Sequence, residues 1–92
     1  MKSEVRNIEP ATIIPDYRLM NMVHRVSDGS DVHRAAQELN IYALAIQGMN
    51  ESSSEKDREA LDRIRQRAET NLRAFVVRKR LAEAADNLRP AQ

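Results

Sequence analysis

Residues 54–88 contain neither glycine nor proline, in a chain of 92. The run SEKDREALDRIRQRAETNLRAFVVRKRLAEAADNL therefore reads as one long amphipathic helix. At about 1.5 Å per residue it reaches roughly 50 Å, well beyond the ~26 Å diameter of a compact domain of about 100 residues. A small globule lying against one side cannot bury such a helix along its whole length. Its far end calls for cover by other parts of the chain or by another molecule.

The rest of the sequence divides readily. Met1 to Pro15 carries two prolines and no helical periodicity, so it reads as an extended arm. Ile13 and Ile14 precede Pro15, where backbone geometry is biased away from helix, and one of them is expected to dock over the end of the long helix. A first helix spans about 16–26, with Asp16 as its cap and Tyr17, Met20 and Val23 on its apolar side, joined by Leu19, Met22 and Val26. Ser27-Asp28-Gly29 ends it. A second helix spans about 31–49, capped by Ser30 or Asp31. Its stripe is Val32, Ala35, Ala36, Leu39, Ala43, Ile46 and Met49. Gly48 and the stretch 50–54 make the next turn, with Ser54 alone, or Ser52 with Glu55, capping the long helix at 54–88. Arg89-Pro90 closes it.

The fold class expected is all-α: a short, a mid-length and a long C-terminal helix in one domain over 16–90. The short turn at 50–54 favours an antiparallel hairpin of helices two and three. Helix one then has the right length to cover the part of helix three that helix two leaves bare. The long helix has more than one apolar stripe. Leu61, Ile64, Ala68, Leu72, Phe75 and Ala82 form one; Val77, Leu81, Ala84, Ala85 and Leu88 form another toward the C-terminus. Only one can face the other two helices, so the second is a candidate surface for a protein partner or for a homo-oligomer, a dimer being favoured.

Apolar residues are 41% of the chain, yet twelve of them are alanine and only one is phenylalanine. Burying an alanine methyl stabilises far less than the ~1.5–3 kcal/mol of a leucine, so the core is thin and association would help it. No cysteine is present, which excludes disulfides and thiolate metal sites and fits a cytoplasmic setting. The N-terminus lacks the apolar stretch of a secretory signal, and no run approaches the ~20 apolar residues of a membrane span. A formal net charge of +1 argues against a strongly basic nucleic-acid coat.

Charge is split along the long helix. Acids prevail from Glu51 to Asp62 and bases from Arg63 to Arg80, which suits the helix dipole. Arg58–Asp62, Glu59–Arg63, Arg65–Glu69, Glu69–Arg73 and Lys79–Glu83 are i,i+4 neighbours, each pair contributing about 0.2–0.5 kcal/mol. Arg67, Arg78 and Arg80 have no local acid. With Arg73 and Lys79 they are the candidates for gripping an acidic partner or a small phosphorylated ligand, because the planar arginine fork makes bidentate contacts with such groups.

Three resemblances bear on function. Ala35-Ala36-Gln37-Glu38-Leu39-Asn40-Ile41, with the preceding MVHRVSDGS, resembles the first half of a bacterial helix-turn-helix of the LysR type, which implies DNA binding through residues 30–50. Tyr42 to Glu51, where the recognition helix would lie, contains no lysine or arginine. Leu61-Asp62-Arg63-Ile64 through Arg80-Leu81-Ala82-Glu83 resembles the first helix of helical chorismate mutases, although in that family this helix opens the chain. Ala68-x-Thr70-x-Leu72 with Tyr17-Arg18 is similar to small phage-encoded helical sponges for cyclic oligonucleotides, which implies a nucleotide ligand at an oligomer interface. No catalytic constellation is visible: His24 and His33 fall on different helices, and neither glycine belongs to a phosphate-binding loop. The expected function is that of a small non-enzymatic regulator, inhibitor or adaptor, without metal or cofactor, that binds another protein through the long helix.

Overall fold

Helix α1 (Tyr17–Val26) begins where Asp16 turns its carboxylate back onto the chain, accepting a hydrogen bond from the Leu19 N–H at 3.1 Å. A computed structural model describes residues 12–88; residues 1–11 of the expected arm over 1–15 and the stop at Arg89-Pro90 lie outside the described residues. Helix α2 (Asp31–Glu51) follows a turn in which Gly29 takes a φ of +52°, a left-handed conformation that glycine adopts at little cost. Ser30 stands at the N-cap without a side-chain bond, and the Asp31 N–H donates instead to the Asp28 carbonyl at 2.9 Å. Helix α3 (Glu55–Asn87) is capped by Ser54, whose hydroxyl accepts from the Asp57 N–H. Ser52 does not cap α3; its carbonyl fastens the α2–α3 loop by accepting from the Arg58 guanidinium at 2.9 Å.

The described residues thus form the expected all-α, three-helix arrangement, with bounds within two residues of those read from the sequence. Helices α2 and α3 make an antiparallel hairpin, Asp31 lying beside Lys79 and Gly48 beside Leu61. A Cβ built on Gly48 would come 2.9 Å from Leu61 Cδ1. Gly48 is therefore inside α2, where it admits Leu61, and not in the turn.

Helix α1 lies beside the hairpin and runs parallel to α3. Asp16 bonds Arg73, and the Arg80 guanidinium reaches the Met22 sulfur. This corrects the expectation that α1 continues where α2 leaves off. Helix α2 already reaches Lys79, so α1 shares that same length of α3, and beyond Arg80 residues 81–88 are all exposed.

The core sits where the three helices meet. Leu19 and Val23 of α1, Ala35, Leu39, Tyr42 and Ile46 of α2, and Ala68, Leu72 and Val76 of α3 are buried together. Tyr17 is 60% exposed and takes no part, while Met20, Met22 and Val26 pack half-buried around the cluster. On α2 the buried residues are Ala35, Leu39, Tyr42, Ala45, Ile46 and Met49, so Tyr42 replaces the expected Ala43, and Val32 and Ala36 face water. The Tyr42 hydroxyl explains this: buried phenols seek a partner, and this one accepts the Asp16 N–H at 2.9 Å. On α3, Val76 is buried, whereas Ile64 and Ala82, expected in the stripe, are exposed.

Of the two isoleucines before Pro15, Ile13 docks and Ile14 stays 72% exposed. The docking place is not the end of α3. The Asn50 side chain clamps the Ile13 backbone from α2, accepting from its N–H and donating to its carbonyl, both at 2.8 Å.

Candidate functional site

The basic residues of α3 fall into two groups with different employment. Arg73 bridges Glu69 and Asp16, the latter at 3.0 Å. Its hydrogen bond to Glu69 is the main cause that raises its pKa above the ordinary value. Arg73 ends a network along one edge of α3: Gln66 donates to Asp62, Asp62 pairs with Arg65, and Arg65 with Glu69. Two of the expected i,i+4 pairs, Arg65–Glu69 and Glu69–Arg73, are formed, and they continue into the cap of α1. Lys79 turns away from Glu83 and bonds Asp31 at 2.6 Å and Asp28 at 3.0 Å, pinning α3 to the α1–α2 turn. The Asp31 bond, followed by the Asp28 bond, raises the Lys79 pKa. Both cations are thus already engaged within the fold.

Arg67, Arg78 and Arg80 are exposed and make no ion pair among the described residues; the Arg80 guanidinium donates to the Met22 sulfur at 3.5 Å. These three are not gathered at one point. At about 100° per residue, Arg73 and Arg80 lie toward the α1 side of α3, and Arg67 and Arg78 on the opposite edge.

Between those edges lies the second apolar stripe, and it faces away from the core. Val77 is 55%, Leu81 65% and Leu88 83% exposed. Ala74, Ala84 and Ala85 are exposed with them. Ala74, Val77, Leu81, Ala84 and Leu88 recur at alternating intervals of three and four residues, the spacing of a coiled-coil seam. The chain's other exposed large apolar residues within helices α2 and α3, Val32, Ile41, Leu44 and Ile64, do not extend through successive turns in this way. On the side of α3 where the core residues would continue, Glu83, Asp86 and Asn87 appear instead, as suits a helix end standing in water.

The α2–α3 groove beside this stripe is lined by Arg34, Glu38, Phe75 and Arg78 among others, with a volume of about 180 Å³. Small-molecule sites occupy about 300–1,000 Å³, so this groove does not by itself enclose a nucleotide. Its two arginines add positive charge along the Arg78 edge of the stripe.

The segment that resembles a helix-turn-helix is a single helix, uninterrupted between Leu39 and Tyr42, both of which are buried. A recognition helix set at an angle to a first helix is therefore absent from residues 31–51. Among the described residues no cluster of side chains is arranged to hold a metal ion, and no helix is long and apolar enough to cross a membrane. Comparison with protein-family models, curated proteins and solved structures gives no match.

Proposed function

We propose that this chain is a small non-enzymatic helical interaction protein, a regulator, inhibitor or adaptor that works in the cytoplasm by binding another protein. Its contact surface is the outer stripe of α3, from Ala74 to Leu88. One observation carries the reading: an apolar seam of regular spacing is exposed on the side of the helix that the core does not use. Exposed apolar surface arranged continuously, unlike single exposed residues, marks sites of association. Residues 81–88 are all exposed as well, so this part of α3 is accessible to a partner from several sides.

Leu81→Asp tests the proposal, because Leu81 touches none of the core and its replacement leaves the fold intact. Tagged wild-type and variant chains would be compared for the proteins each retains from the source cells. A partner retained by the wild type and lost with Leu81→Asp is expected. Identical retention by two equally folded chains refutes the assignment of the stripe.

A further inference from the structure

The charges that flank the stripe bear on what can occupy it. With Ala74, Leu81 and Leu88 as one set of seam positions and Val77 and Ala84 as the other, Arg73 and Arg80 immediately precede seam residues and Arg78 immediately follows one. These are the positions that face the flanks of a helix laid along the seam and set partner choice in helical pairs. Arg67, one heptad before Ala74, puts a positive charge where the seam runs out toward the N-terminus, and Arg34 of α2 stands beside Arg78 across the groove. Arg73 is balanced by Glu69 and Asp16, and Glu38 stands in the groove with Arg34 and Arg78, but no acid pairs with Arg78 or Arg80 among the described residues. Glu69 is engaged by Arg65 and Arg73, and Glu83 and Asp86 lie round the helix from the seam.

A second copy of the chain is a poor occupant on these grounds. In a parallel pair of seams, Arg73 of one copy meets Arg78 of the other. In an antiparallel pair centred on the stripe, Arg78 faces Arg78 and Arg80 faces Arg80. The antiparallel pair brings unpaired like charges together, and the parallel pair sets Arg78 beside an arginine already held by Glu69 and Asp16 and so offers it no acid; both act against self-pairing. Sliding the copies so that the acidic start of α3 meets the basic end sets the apolar stripe against Lys56, Ala60, Arg63, Arg67 and Thr70, which offer a single alanine as apolar face.

We infer, resting on the interaction reading above, that the occupant is an amphipathic helix of another protein whose apolar face is bordered by glutamate or aspartate on both edges. Apolar residues of that helix fill the seam, while its acids pair with Arg78 and Arg80 and with the outer side of Arg73. The charges steer and select, and the seam holds.

Two synthetic helical peptides serve as probes. Both carry leucine along one face at seam spacing; one is flanked by glutamate and the other by lysine. Each is titrated against the full chain by fluorescence anisotropy, and the oligomeric state of the chain is measured by sedimentation. The expected result is a monomeric chain that binds the glutamate peptide at least about tenfold more tightly than the lysine peptide. The preference should shrink in high salt and reverse in Arg78→Glu/Arg80→Glu. Leu81→Asp should abolish binding of both. Equal, Leu81-dependent binding of the two peptides leaves the contact surface standing and overturns the acidic partner. A dimer that Leu81→Asp dissociates overturns it in favour of a second copy. A monomer that binds neither peptide overturns both this inference and the reading on which it rests.

Discussion

Replacing Tyr42 with phenylalanine isolates the contact that positions α1. The ring is 2% exposed and phenylalanine fills almost the same space, so the substitution leaves the packing in place and removes only the hydroxyl. The Asp16 N–H, which donates to that hydroxyl at 2.9 Å, then loses its acceptor. Leaving a buried donor without a partner costs about 1–3 kcal/mol. This one is part-buried, and water can replace some of the bond, so the expected loss is about 1–1.5 kcal/mol. For a domain of this size each kcal/mol moves Tm by about 4–8 °C, giving a fall of about 4–12 °C in a far-ultraviolet circular dichroism melt. Tyr17→Phe is the control, because its ring stands mostly in water. It should lie within about 0.5 kcal/mol of wild type. Amide exchange should quicken first in α1, where the lost bond lies. If Tyr42→Phe melts within a degree of wild type, the hydroxyl does not hold α1, and the explanation offered for the burial of Tyr42 fails.

Leu72, 1% exposed at the centre of the core, should cost about 2–5 kcal/mol when cut to alanine, read from the midpoint of a urea titration. Gly48→Ala gains up to about 1 kcal/mol of helix propensity but requires the flexible tip of Leu61 to shift, so near-neutral stability is expected. Gly48→Leu, by contrast, should cost about 1–3 kcal/mol by forcing α2 and α3 apart; the two variants measured side by side by thermal melting check the close approach. Lys79 has its folded-state pKa raised above the ordinary 10.5. Its bonds to Asp28 and Asp31 therefore stabilise fully below that value, and the stabilisation is lost as pH rises through the folded pKa. The Tm difference between wild type and Lys79→Gln should accordingly be steady near neutrality and shrink in strongly alkaline buffer; a difference that persists there contradicts the ion pairs.

Local chemistry made the helices legible. Asp16 and Ser54 are capping residues placed just before apolar periodicity, Gly29 is a turn residue, and nothing interrupts α3. The phase of α2 was harder to read, because Ile41 to Ile46 is apolar at every position and fits more than one line of burial. Tyr42 is selected by a hydrogen bond to Asp16, a residue 26 positions away, and no periodicity encodes that. The cations show the same limit. Counting i,i+4 neighbours finds Arg65–Glu69 and Glu69–Arg73, but Arg73–Asp16 and Lys79–Asp31 join residues 57 and 48 positions apart. They exist only once α1 lies beside α3. Its place there also could not follow from helix lengths, since α1 fits equally well end-on to α2 or beside it. The outer stripe, in contrast, was visible in the sequence as apolar residues that one buried face could not accommodate.

The relation between the two stripes of α3 decides whether the outer one is a separate surface or the core's own face drifting round the helix. A straight α-helix carries a seven-residue repeat round its axis by only about 20° per heptad. Between Ala74 and Leu88 that amounts to some 40°, whereas the line through Val77 and Leu81 lies roughly 140–180° from Leu72 at about 100° per residue. Drift cannot connect them. The stripes also overlap along the axis: Val76 is buried at 5% exposure while its neighbour Val77 stands 55% exposed. For about one turn, α3 is therefore apolar on both sides, packing inward on α1 and α2 and presenting Ala74 and Val77 outward. Beyond that turn the inward face becomes Glu83, Asp86 and Asn87, and only the outward seam continues to Leu88. A helix that merely needed to end would become polar all round. This one instead keeps an apolar face, turned outward, where its own bundle stops, and it is on that change of face, with arginines along both edges, that the proposed contact surface rests.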